Sequence, residues 1–357
     1  MSGTSPATGT ETGSGTGTET GSGTGTETGS GTGTETGSGT GTGTAVTVEQ
    51  TASEQVPERR EFGTGLLHTV VTGDPDRGYT WVRRPGPLSP APFAAPGLDL
   101  AGPHGPAAPD APDAQAPAGA VRWAAGTETA EPGGRRYRVR GPESVARRLL
   151  HHGPDEDLVA VLEGVGRLLR TLHETPVPQD LAGDPQTRPR GLVRFTDWLA
   201  GRAASPRAAY AESRLRPRLG ETRMAALHAL CARIADEPDP VLCHGAPALG
   251  SLVPAVPSGG ADLLIGEDLC LAPWYFDLGW ILGELVELKW YRGDGHPAWP
   301  RLLDALFQGY GRDLGDDWGR LAALRVLLHL HDYTAYVGWD EKTFEKYTGF
   351  AMFLLDL

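Results

Sequence analysis

The stretch Pro240 to Leu288, PVLCHGAPALGSLVPAVPSGGADLLIGEDLCLAPWYFDLGWILGELVEL, constrains the chain most. The apolar run Val241-Leu242-Cys243 meets His244-Gly245, and Gly250-Ser251 leads into Leu252-Val253. Gly259-Gly260 then separates that strand from Leu263-Leu264-Ile265, the pattern of a hairpin. Pro273 opens a helix in which Leu278, Ile281, Leu282 and Leu285 recur at helical spacing. A tight loop, two short strands and a long apolar helix follow one another.

This order of elements resembles the catalytic core of the aminoglycoside phosphotransferase-like kinases, small-molecule relatives of the protein kinases. Their pattern is His-Gly-Asp, four residues, Asn, a hairpin, an Asp-containing segment, then Asp-Leu at a helix start. His244-Gly245 and Asp277-Leu278 match it. The family's catalytic Asp falls on Ala246, its metal-holding Asn on Ser251, and its second metal-binding Asp near Gly266, with Glu267 and Asp268 directly after. The resemblance implies an α+β, two-lobed kinase-like fold with a reduced β-rich N-lobe and a mainly helical C-lobe. It also implies that His244, Ser251 and Asp277 are the catalytic-loop positions, with His244 and Asp277 holding the loop by hydrogen bonds rather than doing chemistry.

The substitutions bear directly on phosphoryl transfer, which is positioning plus neutralisation of charge. Ala246 can neither orient a hydroxyl nor accept its proton. Gly266 offers a metal no side-chain oxygen, although Ser251 keeps a hydroxyl. Glu267 or Asp268 would reach a metal after a one-residue shift of strand register. Because such a shift flips side chains across a hairpin, only one of the two is expected to face inward. ATP and Mg are therefore possible cofactors rather than assured ones.

The rest of the chain sorts by composition. Residues 1–45 are low complexity, with the octad GTETGSGT repeated four times and no apolar residue in it to bury, and residues 1–58 read as a disordered tail. Residues 59–140 read as the β-rich N-lobe, with ordered structure expected from near Phe62. Gly65–Val71 and Tyr79–Arg83 form strands around Gly73-Asp74-Pro75-Asp76. Trp81-Val82-Arg83 is similar to the family strand that carries the nucleotide-contacting basic residue, so Arg83 stands where a Lys is usual. A Pro/Ala-rich insertion, 85–118, gives no support for a helix. A further strand pair is expected at Gly119–Trp123 and Arg136–Arg140 around Glu131-Pro132-Gly133-Gly134. Residues 141–357 read as the helical C-lobe, with the catalytic-loop-like hairpin at 241–268. Its first long helix carries Leu158, Leu162, Val165, Leu169 and Leu172 and ends at His173, a packing or capping histidine.

Other clusters carry weaker signals. His329 and His331 point to different faces of a helix and make no metal site with Asp332. Trp274, Tyr275, Phe276, Trp280, Trp290 and Tyr291 read as packing residues, with a peptide groove as the other reading. The arginines at 135, 136, 138, 140, 147 and 148 form a solvated face or a dock for an acidic peptide or phosphate.

With 32 Lys plus Arg against 45 Asp plus Glu, the net charge of −13 argues against general nucleic-acid binding. Three scattered cysteines, the lack of an apolar signal-peptide core and the lack of a membrane-length apolar run make the cytoplasm the expected location, with no membrane partner. Three functions stay open. The loop and its sequel look similar to kinase-like subunits of lanthipeptide- and thioamitide-type peptide maturation, which implies phosphorylation of Ser or Thr in a precursor peptide before elimination by a lyase subunit. The second is a catalytically dead pseudokinase that binds or scaffolds a peptide. The third is a small-molecule antibiotic kinase.

Overall fold

The computed structural model describes residues 58–90, 92–93, 120–131, 133–177, 187–203, 205–256 and 259–357. Nearly all of the tail and most of the Pro/Ala-rich insertion lie outside these residues. What is described belongs to one unit, Gln55–Leu357, and it is α+β: a small antiparallel sheet precedes a helical lobe.

Strands β1 (Glu58–Gly63), β2 (Leu67–Asp74) and β3 (Gly78–Pro85) form an antiparallel meander. The β2–β3 turn closes because Asp74 Oδ1 accepts from the backbone of Asp76 and Arg77 at 2.9 and 2.8 Å. Strand β1 starts at Glu58, ahead of Phe62. ERREFG lacks apolar alternation, and β1 is held by backbone pairing to β2. Strands β4 (Ala120–Ala125), β5 (Thr127–Glu128) and β6 (Arg135–Val139) follow, and the first sheet has the order β1-β2-β3-β6-β5.

Alternation decides which side chains this sheet turns inward. Tyr79, Trp81 and Arg83 of β3 are buried, as are Arg135, Tyr137 and Val139 of β6. The register sets Trp81 opposite Tyr137 and Arg83 opposite Arg135. The basic stretch is thus only partly a solvated face: Arg135 is buried because it shares a strand face with Tyr137 and Val139.

Helices α1 (Val145–His152), α2 (Glu156–His173), α3 (Arg190–Leu199) and α4 (Pro206–Ala235) open the second lobe. Asp155 caps α2, accepting from Leu158 N at 2.9 Å. Strands β7 (Val241–Cys243), β8 (Leu252–Pro254), β9 (Gly260–Ile265) and β10 (Cys270–Ala272) come next, then α5 (Tyr275–Arg292), α6 (Ala298–Tyr310), α7 (Trp318–Tyr336) and α8 (Glu341–Leu355). Helix α5 is apolar nearly all round and is the axis of this lobe, with Phe276 to Leu285 buried without a break.

The expected β4–β6 strand pair does not form. Strand β4 instead lies parallel to β9 in a sheet of order β4-β9-β8. Fully buried Asp262 explains the choice. Its carboxylate accepts from Arg122 Nε at 2.7 Å, Arg140 N at 2.6 Å and Arg140 Nε at 3.0 Å. An ion pair at Arg122–Asp262 and the apolar runs of both strands outweigh a local hairpin. This ladder and a shared core of Trp81, Tyr137, Val139, Val253 and Leu264 bind the sheet to the β8–β9 hairpin.

Candidate functional site

The loop between β7 and β8 is shaped by Asp277 in the first turn of α5. Its Oδ2 accepts from His244 N at 2.7 Å and its Oδ1 from Gly245 N at 3.0 Å. His173 Nε2 lies 3.1 Å from Oδ2, and the Tyr310 hydroxyl is 2.9 Å from His173 Nδ1. His244 in turn donates from Nε2 to Leu264 O at 2.7 Å, which ties the loop to β9. Gly245 takes φ +86°, and a Cβ there would meet Asp268 O at 1.8 Å, so no other residue fits this crossing. His173, His244 and Asp277 are all buried. They make one clamp that sets the path of residues 244–251 against 264–268.

Arg83 reaches this loop from β3. Its Nη1 donates to Ser251 Oγ at 2.9 Å and to Glu267 Oε2 at 3.2 Å, and its Nη2 donates to Gly250 O at 2.9 Å. Glu267 is also held from the sheet: the Tyr137 hydroxyl donates to its Oε1 at 2.7 Å. Burial and the neighbouring Glu267 charge push the Tyr137 phenol well above its ordinary value, so it stays a donor. The Arg83–Glu267 pair is buried, at 6 % and 11 % side-chain exposure.

A cavity of about 260 Å³ lies over these groups, and Arg83, Ser251, Glu267, Asp268 and His244 all line it. Asp277 is brought to the loop from beneath and does not face the cavity. Both Glu267 and Asp268 line it, unlike the expectation that only one would face inward. The two residues follow β9 in a bend, where strand alternation no longer applies. Ala246 lines the cavity at the position of the expected proton acceptor.

Three further arginines meet here, and sequence reading missed all of them. Arg190 Nη1 donates to Asp268 Oδ1 at 2.9 Å and to Glu267 O at 3.1 Å. Arg194 pairs with Asp332 at 3.0 Å, and His331 Nδ1 lies 2.8 Å from the same carboxylate. Burial pushes Asp332 up, but the Arg194 charge and His331 outweigh it and hold the carboxyl down at about 2. Arg325 donates to Glu284 at 2.6 Å, and Glu284 accepts from Leu249 N at 2.6 Å and Trp280 Nε1 at 3.1 Å. Arg190 and Arg194 stand one helical turn apart on α3, a legible signal, but nothing in the sequence tells which surface that helix faces.

Oxygen donors for a metal are therefore present but engaged. Glu267 is bound by Arg83 and Tyr137, Asp268 by Arg190, and the Ser251 hydroxyl by Arg83. Elsewhere, His173, Cys243 and Asp277 bring ligand atoms within 4.8 Å of one another, but all three are buried. Burial, first, and the Asp277 charge push the Cys243 thiol well above its ordinary value, which disfavours the thiolate a metal binds.

No protein-family model and no curated protein matches the sequence. Among solved structures, the chain is similar to an ethanolamine kinase from Plasmodium vivax at 10 % identity, with 85 % of this chain and 84 % of that one covered and a TM-score of 0.48. It is similar to choline kinase LicA from Streptococcus pneumoniae at 9 % identity, with coverage of 83 % and 94 % and a TM-score of 0.48. The aminoglycoside phosphotransferase APH(3'')-Id from Streptomyces rimosus is similar at 16 % identity, with coverage of 78 % and 93 % and a TM-score of 0.42. Among the described residues no helix is long and apolar enough to cross a membrane.

Proposed function

We propose that this chain is a kinase-like binding module that holds an anionic ligand in its arginine-lined cavity and transfers no phosphoryl group. One observation carries the reading: Glu267, Asp268 and Asp332, the carboxylates that line the cavity, are each engaged by an arginine, opposite an Ala246 that accepts no proton. Magnesium demands several free oxygen ligands in near-octahedral array. Withdrawing Glu267 from Arg83 and Tyr137 would strand a buried cation, at a cost of roughly 3–5 kcal/mol. The residues present do not make a magnesium site.

The same residues suit an anion. Each of Arg83, Arg190, Arg194 and Arg325 lines the cavity and spends part of its donor fork on a carboxylate. Guanidinium is the side chain best matched to carboxylate and phosphate oxygens. Phosphorylation of a precursor peptide alongside a lyase subunit, and phosphorylation of an antibiotic, are the opposing readings.

Thermal unfolding with inorganic pyrophosphate, with ATP, and with ATP plus Mg, beside an assay for loss of labelled γ-phosphate, separates them. A ligand that binds only the folded state must raise its stability by mass action. Pyrophosphate is expected to raise the midpoint, EDTA to leave it unchanged, and the label to stay on ATP. Metal-dependent loss of the γ-phosphate to a peptide or small hydroxyl compound would overturn the proposal.

A further inference from the structure

A second cavity, of about 720 Å³, opens between the C-terminal end of α5, α7 and α8. It is lined by Trp290, Tyr291, His329, Tyr333, Lys346 and Tyr347, among others. That volume falls among small-molecule sites, roughly 300–1,000 Å³. Asp277 and Trp290 lie at opposite ends of α5, about 20 Å apart at 1.5 Å per residue, so this cavity is separate from the arginine-lined one.

Its walls are preset. The Trp290 ring stacks on Phe350 at 4.4 Å and lies perpendicular to the Tyr347 ring, 5.2 Å between centroids. Beneath lies Glu287, 6 % exposed, whose Oε1 accepts from the Tyr347 hydroxyl at 2.7 Å and from His329 Nδ1. Burial raises the Glu287 carboxyl, but the charge and hydrogen bond of His329, then Arg325, outweigh it and hold it below the ordinary range. The carboxylate stays ionised and fixes the imidazole. With Nδ1 committed to Glu287, the rest of the His329 ring, 42 % exposed, forms part of the wall. Lys346 is exposed and, among the described residues, belongs to no ion pair.

Four aromatic side chains and one cationic edge select a ligand that is planar at one end and negative at the other. We propose that this cavity binds a planar aromatic acid, its ring against Trp290, Tyr291 and Tyr333 and its carboxylate toward Lys346. A cationic aromatic would meet Lys346, while the one acid beneath is already spent on His329 and Tyr347. This proposal does not depend on the function assigned to the arginine cavity.

The test is calorimetric titration of the full chain with indole-3-acetate, indole-3-acetamide and tryptamine, which share a ring and differ in charge. The acid is expected to bind saturably and at least about tenfold more tightly than the amide, one ion pair's worth of discrimination at a partly desolvated site. Lys346→Gln is expected to bring acid and amide to equal affinity while its circular dichroism and unfolding midpoint stay unchanged. No saturable binding of the acid, tryptamine binding tightest, or Lys346→Gln retaining the preference for the acid would each overturn the proposal.

Discussion

At the scale of single residues, this chain is defined by what its buried carboxylates hold. Asp277 satisfies two backbone N–H groups, and Asp277→Ala leaves both buried without an acceptor, at about 1–3 kcal/mol each. Urea unfolding is expected to show a loss of several kcal/mol, and a loss below about 1 kcal/mol would disprove the clamp. Arg83 and Glu267 differ in kind, because a buried ion pair is strong evidence of geometry and weak evidence of net stability. Glu267→Gln alone should destabilise by a few kcal/mol, whereas Arg83→Met with Glu267→Leu should recover most of that loss in a double-mutant cycle. Asp332 supplies a pH dependence. Its carboxyl is at about 2 in the fold against an ordinary 3.8, so the folded state binds fewer protons than the unfolded one in that window. Its contribution is fully present above about pH 4 and is lost as pH falls toward 2. Asp332→Asn should flatten the acid limb of a midpoint-versus-pH curve, and an unchanged limb would refute the pairing with Arg194.

At the scale of elements, two contacts show how far local pattern reaches. The apolar spacing of Leu158, Leu162, Val165, Leu169 and Leu172 was enough to read α2, because a buried helix face must repeat near 3.6 residues. Its partner was not legible. Helices α2 and α6 cross so closely that a Cβ on Gly166 would lie 2.2 Å from Leu306 O. Gly166→Ala should force the helices apart and cost about 1–3 kcal/mol despite alanine's better helix propensity, as read by chemical denaturation. An Ala variant as stable as the parent would place the crossing elsewhere. Strand β4 teaches the opposite lesson. Its residues read as a strand, yet proximity in sequence suggested β6 as partner, and the Arg122–Asp262 pairing across a long separation prevailed.

At the scale of the whole molecule, the β4–β9 ladder and the core around Trp81, Val253 and Leu264 make the sheet and the helical lobe share one interior. The Trp81 indole also donates to Gly141 O at 3.1 Å, where the chain passes from sheet to helices. Chemical unfolding followed by tryptophan fluorescence and by far-ultraviolet circular dichroism should therefore give coincident, single transitions. Separated transitions would mean that the lobes are independent. The α+β order of elements, the loop at His244 and the buried helix after Pro273 were all present in the amino-acid sequence, because turn chemistry and apolar periodicity act over a few residues. Which carboxylates remain free to do chemistry was decided only in three dimensions. Glu267 and Asp268 are ordinary acids until β3 and α3 bring Arg83 and Arg190 against them. Pairing between charges far apart in the chain depends on how whole elements pack, and no local pattern encodes that.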